Sequence, residues 1–331
     1  MNKKIIAAAV AAAFVAAAPA AQAEIKAYSM VQFELTDFDR DGSASDNLAV
    51  TDNQRGRFGF KGGHDLGGGL KSFAMVEFDF EGGNRDAEFG GTGNGTRIRE
   101  ANAGLKGAFG SIALGTVKSA YKYTGGVKYD PYVATQLEQR GRGGMSSGTT
   151  GHNAFLNNAF QYNIKAGMAK IHATYSLDDT DRDSGTENND DGELSLGVAF
   201  GNKKWEAGAA YYDQGLSVDA EGVEALKIFG KISFAGMHTI LAQFENVEEA
   251  GTAESDYIMI GYQLKLGKGM ISLYYGERDR NTANDQENIT LGYTHKFNKK
   301  SRVWAGYQAY DEAGGSTNDV DRLSLGIRVD I

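Results

Sequence analysis

A chain of 331 residues with 34 basic and 43 acidic side chains carries a formal charge of −9, which argues against nucleic acid as a partner and favours solubility or the attraction of cations. Glycine is abundant at 45 residues, proline occurs twice and cysteine is absent. Few prolines suit long sheets in which nearly every N–H is used, and the lack of cysteine excludes a disulfide framework and a thiolate metal site.

The first element is a leader. Lys3 and Lys4 precede an apolar run from Ile5 to Ala18, Pro19 breaks it, and Ala21-Gln22-Ala23 fits a small-x-small cleavage site. This is the pattern of a secretory signal peptide, residues 1–23, and it is set aside from the fold. Residues 24–331 form the mature unit, whose formal charge deepens from −9 to −11 when Lys3 and Lys4 leave. Beyond Ala23 no apolar run is long enough to span a bilayer as a helix, and no linker or composition break divides the chain.

From there the chain alternates apolar and polar residues in about sixteen segments, the period of a β-strand with two unlike faces. They fall at roughly 25–36, 54–62, 70–80, 96–106, 111–118, 156–164, 168–177, 193–200, 204–214, 225–234, 237–247, 256–265, 270–278, 288–296, 302–310 and 321–331. Short connectors such as Gly107–Gly110, Lys165–Gly167, Gly201–Lys203 and Leu266–Gly269 take turns with long ones at 37–53, 81–95, 119–155, 178–192, 215–224, 279–287 and 311–320. In an up-and-down meander this places all short turns at one end and all long loops at the other. The last strand shows the two faces best. Leu323, Leu325, Ile327, Val329 and Ile331 lie on one side, and Arg322, Ser324, Gly326, Arg328 and Asp330 on the other.

One apolar face, one wet face and alternating loop lengths predict an all-β fold: a transmembrane antiparallel β-barrel with short periplasmic turns and long outer loops. Hydrocarbon offers no hydrogen-bond partners, so such a sheet must close on itself with its apolar face toward lipid. Sixteen strands leave an aqueous channel inside. Tyr262, Tyr275, Tyr293 and Tyr307 are candidates for the interfacial aromatic girdle, and Glu277 shares the lipid-facing parity at a level above the apolar band. A soluble sandwich could alternate in the same way with its apolar side inward, but would not need the strict short–long connectors.

Arg57-Phe58-Gly59-Phe60-Lys61-Gly62, Asp65-Leu66-Gly67-Gly68-Gly69-Leu70, Arg99 through Ala103-Gly104-Leu105, and Phe109-Gly110-Ser111-Ile112-Ala113-Leu114-Gly115 follow one another early in the chain. In this order they resemble the second to fifth strands of the general, non-specific porins of Gram-negative outer membranes. The resemblance covers the whole mature chain. It implies a homotrimer of barrels set in outer-membrane lipid and lipopolysaccharide, a third long loop folded into the lumen, and passive diffusion of ions and small hydrophilic solutes. It also implies a constriction in which arginines on the wall oppose carboxylates on that loop. Arg57 and Arg99 match the wall positions, Arg55 and Arg97 extend them on the same faces, and Arg142, or else Arg140, matches a further arginine. Asp130 and Glu138 are the acids that the loop at 119–155 offers. The family's usual Pro-Glu-Phe-Gly is missing from that loop, Met30 replaces a basic residue of the first strand, and the chain ends in Ile331 rather than phenylalanine.

The residues give the arginines the same placement on their own, because Phe58 and Phe60 alternate with Arg55, Arg57 and Lys61. Charges in a narrow channel act strongly, since low-dielectric walls focus the field. The alternative is a substrate-specific channel with a saturable solute site, for which Tyr121, Tyr123, Tyr129 and Tyr132 could form a stacking track or brace the loop. Asp37, Asp39 and Asp41 are a weak calcium-loop candidate: Gly42 follows, but Leu48 stands where a bidentate glutamate is needed. The five histidines show no ligand spacing, and no nucleophile elbow, P-loop or dinucleotide fingerprint occurs. No enzymatic activity and no cofactor are expected.

Overall fold

The structure is a computed structural model. The described residues are 25–40, 48–53, 55–82, 96–147, 152–176, 192–215, 222–249, 253–281, 285–312 and 319–331. They form seventeen strands: β1 Lys26–Arg40, β2 Ala49–Thr51, β3 Gly56–Gly67, β4 Leu70–Phe80, β5 Arg97–Gly107, β6 Gly110–Lys118, β7 Phe155–Ala166, β8 Ala169–Ser176 and β9 Leu194–Gly201. The series continues with β10 Trp205–Asp213, β11 Glu224–Phe234, β12 His238–Glu249, β13 Ala253–Leu266, β14 Gly269–Arg280, β15 Gln286–Lys296, β16 Ser301–Glu312 and β17 Val320–Asp330.

Every neighbouring pair is antiparallel, and the sheet closes. β1 meets β17 from Met30 opposite Asp330 to Arg40 opposite Val320. The periplasmic half of β1 meets β3, with Lys26 opposite Lys61. The closed barrel has sixteen strands, and β2 is an extra three-residue piece paired with Glu34–Thr36 of β1. Closure leaves no edge, which is what a sheet in hydrocarbon requires. Two local expectations change. The first long connector was to begin at residue 37, but β1 runs on to Arg40, and β2 lies inside the stretch read as loop. Asp37 and Asp39 therefore sit on a strand, exposed, while Asp41 lies outside the described residues.

The faces follow the sequence parity. Leu291 and Leu325 are 52% and 57% exposed, whereas their neighbours Thr290 and Ser324 are 0% and 1% exposed. The apolar residues face outward, so the bilayer covers them. At the interfaces Tyr293 and Tyr307 are exposed, and Tyr275 donates its hydroxyl to Glu277 (2.9 Å). Three register shifts break the period, the first between Asp65 and Gly67 where β3 turns into β4. Between β4 and β5, Glu77 pairs with Glu100 and Phe78 with Ile98, leaving Arg99 as the extra residue. Between β6 and β7 the register slips between Gly115 and Val117. A bulge bends its strand and re-aims side chains. Here it lets Arg97, Arg99 and Glu100 all reach the lumen side.

The connector between β6 and β7 turns inward and lies on the inner wall. It begins with a short helix, α1 (Ala120–Tyr123), followed by a 3-10 turn at Gly126–Lys128. Its anchors come from many strands. The Tyr121 N–H donates to Ser195 Oγ on β9 (2.7 Å) and the Tyr121 hydroxyl to Glu245 on β12 (2.9 Å). Gly126 N–H donates to Gln243 on β12 (2.6 Å). Lys227 on β11 donates to the Tyr121 carbonyl (2.6 Å), and Gln263 on β13 to the Tyr129 carbonyl (3.0 Å). Gln139 donates to Thr290 on β15 (3.0 Å), Gln308 on β16 to the Glu138 carbonyl (3.2 Å), and Gln32 on β1 to the Ala134 carbonyl (2.6 Å). Room for this close contact is made by glycine. A Cβ at Gly292 would collide with the Tyr132 hydroxyl, and one at Gly306 would press on Leu137.

By lumen parity alone, Thr290 and Ser324 would tolerate Arg. Both positions prove to be packed: Thr290 under the loop, Ser324 against Glu34 (2.6 Å) and Trp304 (3.3 Å). The appropriate lumen control is Asn163 on β7, which is only partly buried. Leu291→Arg should lower barrel stability by about 2–4 kcal/mol if the site lies near the bilayer midplane, while Asn163→Arg should change it far less. Unfolding in urea from lipid vesicles measures both, and equal damage at the two parities would contradict the lipid-facing assignment.

Candidate functional site

Between the inward loop and the opposite wall lies a cavity of about 960 Å³. The wall contributes Arg55 just before β3, Arg57, Glu77 and Asp79, Arg97 and Arg99, and Lys118 on β6. The loop contributes Lys122, Tyr123 and Arg140, and β16 and β17 add Arg302 and Arg328. Period two delivers each wall residue to this face, since Gly56 to Phe60 and Glu77 to Asp79 alternate in and out.

The wall arginines are held by two acids of the same wall. Asp79 lies 3.0 Å from Arg97, 3.6 Å from Arg99 and 3.9 Å from Arg57. Glu77 takes the Arg99 guanidinium (3.2 Å) and the Tyr28 hydroxyl (2.9 Å). Arg99 also lies over the Phe155 ring at 4.4 Å. Arg55 has charged neighbours of its own sign, Arg328, Arg99 and Arg302, and its Nε has no hydrogen-bond partner. Lys118 pairs with Glu100. These bonds fix the guanidinium groups in place, and bases outnumber acids along the cavity.

The loop residues are arranged differently from a simple acidic counter-wall. Asp130 is buried and turned on its own backbone, accepting N–H bonds from Tyr132 (2.8 Å) and Gln139 (2.9 Å). Burial pushes its pKa up to about 7, against those two hydrogen bonds. Glu138 accepts the Ala134 N–H (2.7 Å) and pairs with Arg140 (3.1 Å). Arg142 donates to the Gln136 side chain (2.7 Å) and carbonyl, and does not line the cavity, whereas Arg140 does. Tyr121 and Tyr132 are buried behind the loop, while Tyr123 and the nearly buried Tyr129 line the cavity. Asp37 and Asp39 stand far from it on β1, and among the described residues no group of three metal-binding side chains occurs. Sequence reasoning did not assign Lys122, Glu77, Asp79, Arg302 or Arg328. The wet-face parity of Arg302 and Arg328 was the available signal.

Residues 7–315 match the family of Gram-negative porins. The chain belongs to that family. It is 26% identical over 337 aligned residues to outer membrane porin protein 32 of Delftia acidovorans, covering 92% of this chain and 88% of that one. Its fold is similar to that of an anion-selective porin from Comamonas acidovorans, with a TM-score of 0.75 at 18% identity, covering 94% and 100% of the two chains. The trimer form of OmpT from Vibrio cholerae aligns with a TM-score of 0.63 at 16% identity, covering 93% and 99%. This porin is thus a multi-pass barrel of the outer membrane, a channel for passive diffusion.

Lys122 is a cavity base whose charge is open to physiological pH. Burial, reinforced by Arg140 and Arg99, pushes it down to about 6, with Glu138 acting in the opposite direction. It is therefore mostly neutral at pH 7 and gains a charge as pH falls through 6. Anion preference should rise across that interval, and Lys122→Gln should abolish the step. Reversal potentials under a fixed KCl gradient between pH 5 and 8 measure both.

Proposed function

We propose that this porin is a general diffusion pore whose constriction favours anions and that it works as a homotrimer, after removal of the leader 1–23. The reading rests on one observation above all: the cavity is lined by Arg55, Arg57, Arg99, Lys118, Arg140, Arg302 and Arg328, with only a few acids among them. Two unit charges 4 Å apart interact by about 4 kcal/mol at an effective dielectric of 20. Acids in the outer loops act across salt solution, where charges are screened beyond about 8 Å at physiological strength. The constriction thus outweighs the chain's overall acidity. Its solutes are small inorganic and organic anions and small neutral hydrophilic molecules. The similar Comamonas acidovorans porin is described as anion-selective, and the Vibrio cholerae relative as a trimer.

The substrate-specific alternative gains little support, because Tyr121 and Tyr132 brace the loop, and Tyr129, which lines the cavity with Tyr123, is almost wholly buried. A saturable site would reveal itself as block of the current by its solute at low concentration.

The anion preference is tested by the zero-current potential of single pores in a salt gradient. Arg57→Glu with Arg99→Glu should move the permeability ratio toward cations by about tenfold or more, equivalent to ~1.4 kcal/mol. Neutralising Asp37, Asp39 and Asp41 should shift it little at moderate salt. A strong shift from the aspartate variant and none from the arginine variant would place the filter elsewhere.

The trimer is tested by size. Detergent-extracted protein should migrate as three chains before boiling and as one after, and a single-chain species under both conditions would refute the assembly.

A further inference from the structure

Three bases of neighbouring strands stand in one row. Cross-strand register sets Lys296 of β15 opposite Arg302 of β16, and Arg302 opposite Arg328 of β17. All three share the parity of Thr294, Trp304 and Ser324, which face the lumen. The row continues beyond β1, where Arg55 has Arg328, Arg99 and Arg302 among its charged neighbours. Like charges directly opposite on adjacent strands destabilise the pair, so folding alone does not favour this arrangement. Among the described residues a single ion pair relieves it: Asp330 takes Arg328 through Nε (2.8 Å) and Nη2 (3.2 Å).

Arg302, at the centre of the row, is uncommitted. Its guanidinium lies over the Trp304 ring at 6.0 Å, and Trp304 is fixed in turn by its indole N–H to Ser324 (3.3 Å). No hydrogen bond or ion pair reaches the guanidinium among the described residues, and its Nε is buried without a partner. Asp130, the other carboxylate side chain near it, is turned onto its own loop and accepts the N–H groups of Tyr132 and Gln139. Lys296, Arg302 and Arg328 line the central cavity and also a second one of about 540 Å³ at the periplasmic mouth, to which Lys268, Lys299 and Lys300 contribute. The row thus stands where the constriction opens toward the periplasm, with open space on both sides.

We propose that Lys296, Arg302 and Arg328 form a binding site for a dianionic oxyanion, a phosphate or a dicarboxylate. The inference deepens the anion-pore reading and rests on it for access to the site. Guanidinium forks match the paired oxygens of phosphate and carboxylate groups, and Arg302 offers such a fork with terminal nitrogens that no acid has taken. Coulomb attraction scales with the product of the charges, so a dianion gains twice what chloride gains from each base. Placed between Arg302 and Arg328, it also removes the repulsion within the row. Chloride and neutral solutes pass the site without being held, so the pore remains general. A dianion instead rests there, where it cancels the local positive charge and obstructs the chloride that follows.

The test is block of chloride current by inorganic phosphate in planar bilayers. It is run in about 0.1 M KCl, where the Debye length is about 10 Å. The solution is held at about pH 8, where phosphate is chiefly a dianion and Lys122, pushed down to about 6, is neutral. Phosphate should halve the current at about 1 mM, and acetate, with like oxygens and one charge, should need at least about ten times more. Block by succinate as well assigns the site to the double charge, and block by phosphate without succinate narrows it to phosphate. Arg302→Gln should raise the half-blocking concentration about tenfold. Because Arg302 has no ion-pair partner, the substitution strands no acid. Lys296→Gln, at the exposed end of β15, should act in the same direction and serves if the first variant fails to assemble. Arg57→Gln with Arg99→Gln should raise the half-blocking concentration by less than about threefold, and a larger effect there than at Arg302 would place the block in the filter and overturn the site. Equal block by acetate, or block unaltered in both row variants, would overturn it as well. A pore that prefers anions but is not blocked by phosphate at about 20 mM overturns the site and leaves the anion reading standing. A pore that prefers cations overturns the anion reading itself and, with it, the path to the site.

Discussion

A backbone N–H in hydrocarbon has no water to turn to, and the rest of this molecule depends on how that demand is met. The seam between β1 and β17 meets it, with eleven register pairs from Met30–Asp330 to Arg40–Val320. Once the sheet is closed, one face must be apolar and the other can be wet. The inner face then becomes free to hold charges that no packed core would tolerate. The mixture of Glu34, Arg57, Glu100, Lys227 and Arg322 on a single sheet surface is a consequence of that closure.

Within the lumen, the inward loop converts a wide tube into a narrow passage. Its seating combines apolar clusters, such as Tyr132 and Leu137 with Trp304, with a polar network. Carbonyls and amides of the loop meet Gln32, Ser195, Gln243, Gln263, Thr290 and Gln308 from the wall. Such a network is strong only when its members are satisfied. The loop acids serve this seating: Asp130 ties two backbone N–H groups and Glu138 ties a third. The wall arginines are instead neutralised in part by Glu77 and Asp79, which belong to their own hairpin.

The strands were legible because lipid and water impose opposite chemistry on alternate residues. All sixteen barrel strands overlap the segments read from the sequence, with ends that differ by a few residues. The misses have physical causes. Beyond the bilayer a strand no longer needs an apolar face, so Asp37 and Asp39 hide the end of β1, and the short β2 carries too few residues to show a period. Bulges erase the period locally, which conceals that Glu100 joins Arg99 on the lumen side. Of the cavity's arginines, Arg55, Arg57, Arg97 and Arg99 were visible from parity and from family resemblance. The partners of Asp130, Glu138 and Arg142 were not, because bonds within a folded loop leave no periodic trace. Lys122 comes near Arg99 and Arg140 only through the fold of the loop.

The hydrogen-bonded anchors of the inward loop come mainly from β1 and from strands β8 to β16, whereas most of the arginine wall lies on β3 to β6. Two traits of one channel are thus written in different stretches of chain. Charges between residues 55 and 118 can change in lineage after lineage without unseating the loop. The bore is harder to change, because altering it requires coordinated changes at glycines such as Gly292 and Gly306 and at the side chains that rest on them. Among descendants of such a barrel, ion preference should diverge quickly while pore diameter drifts slowly.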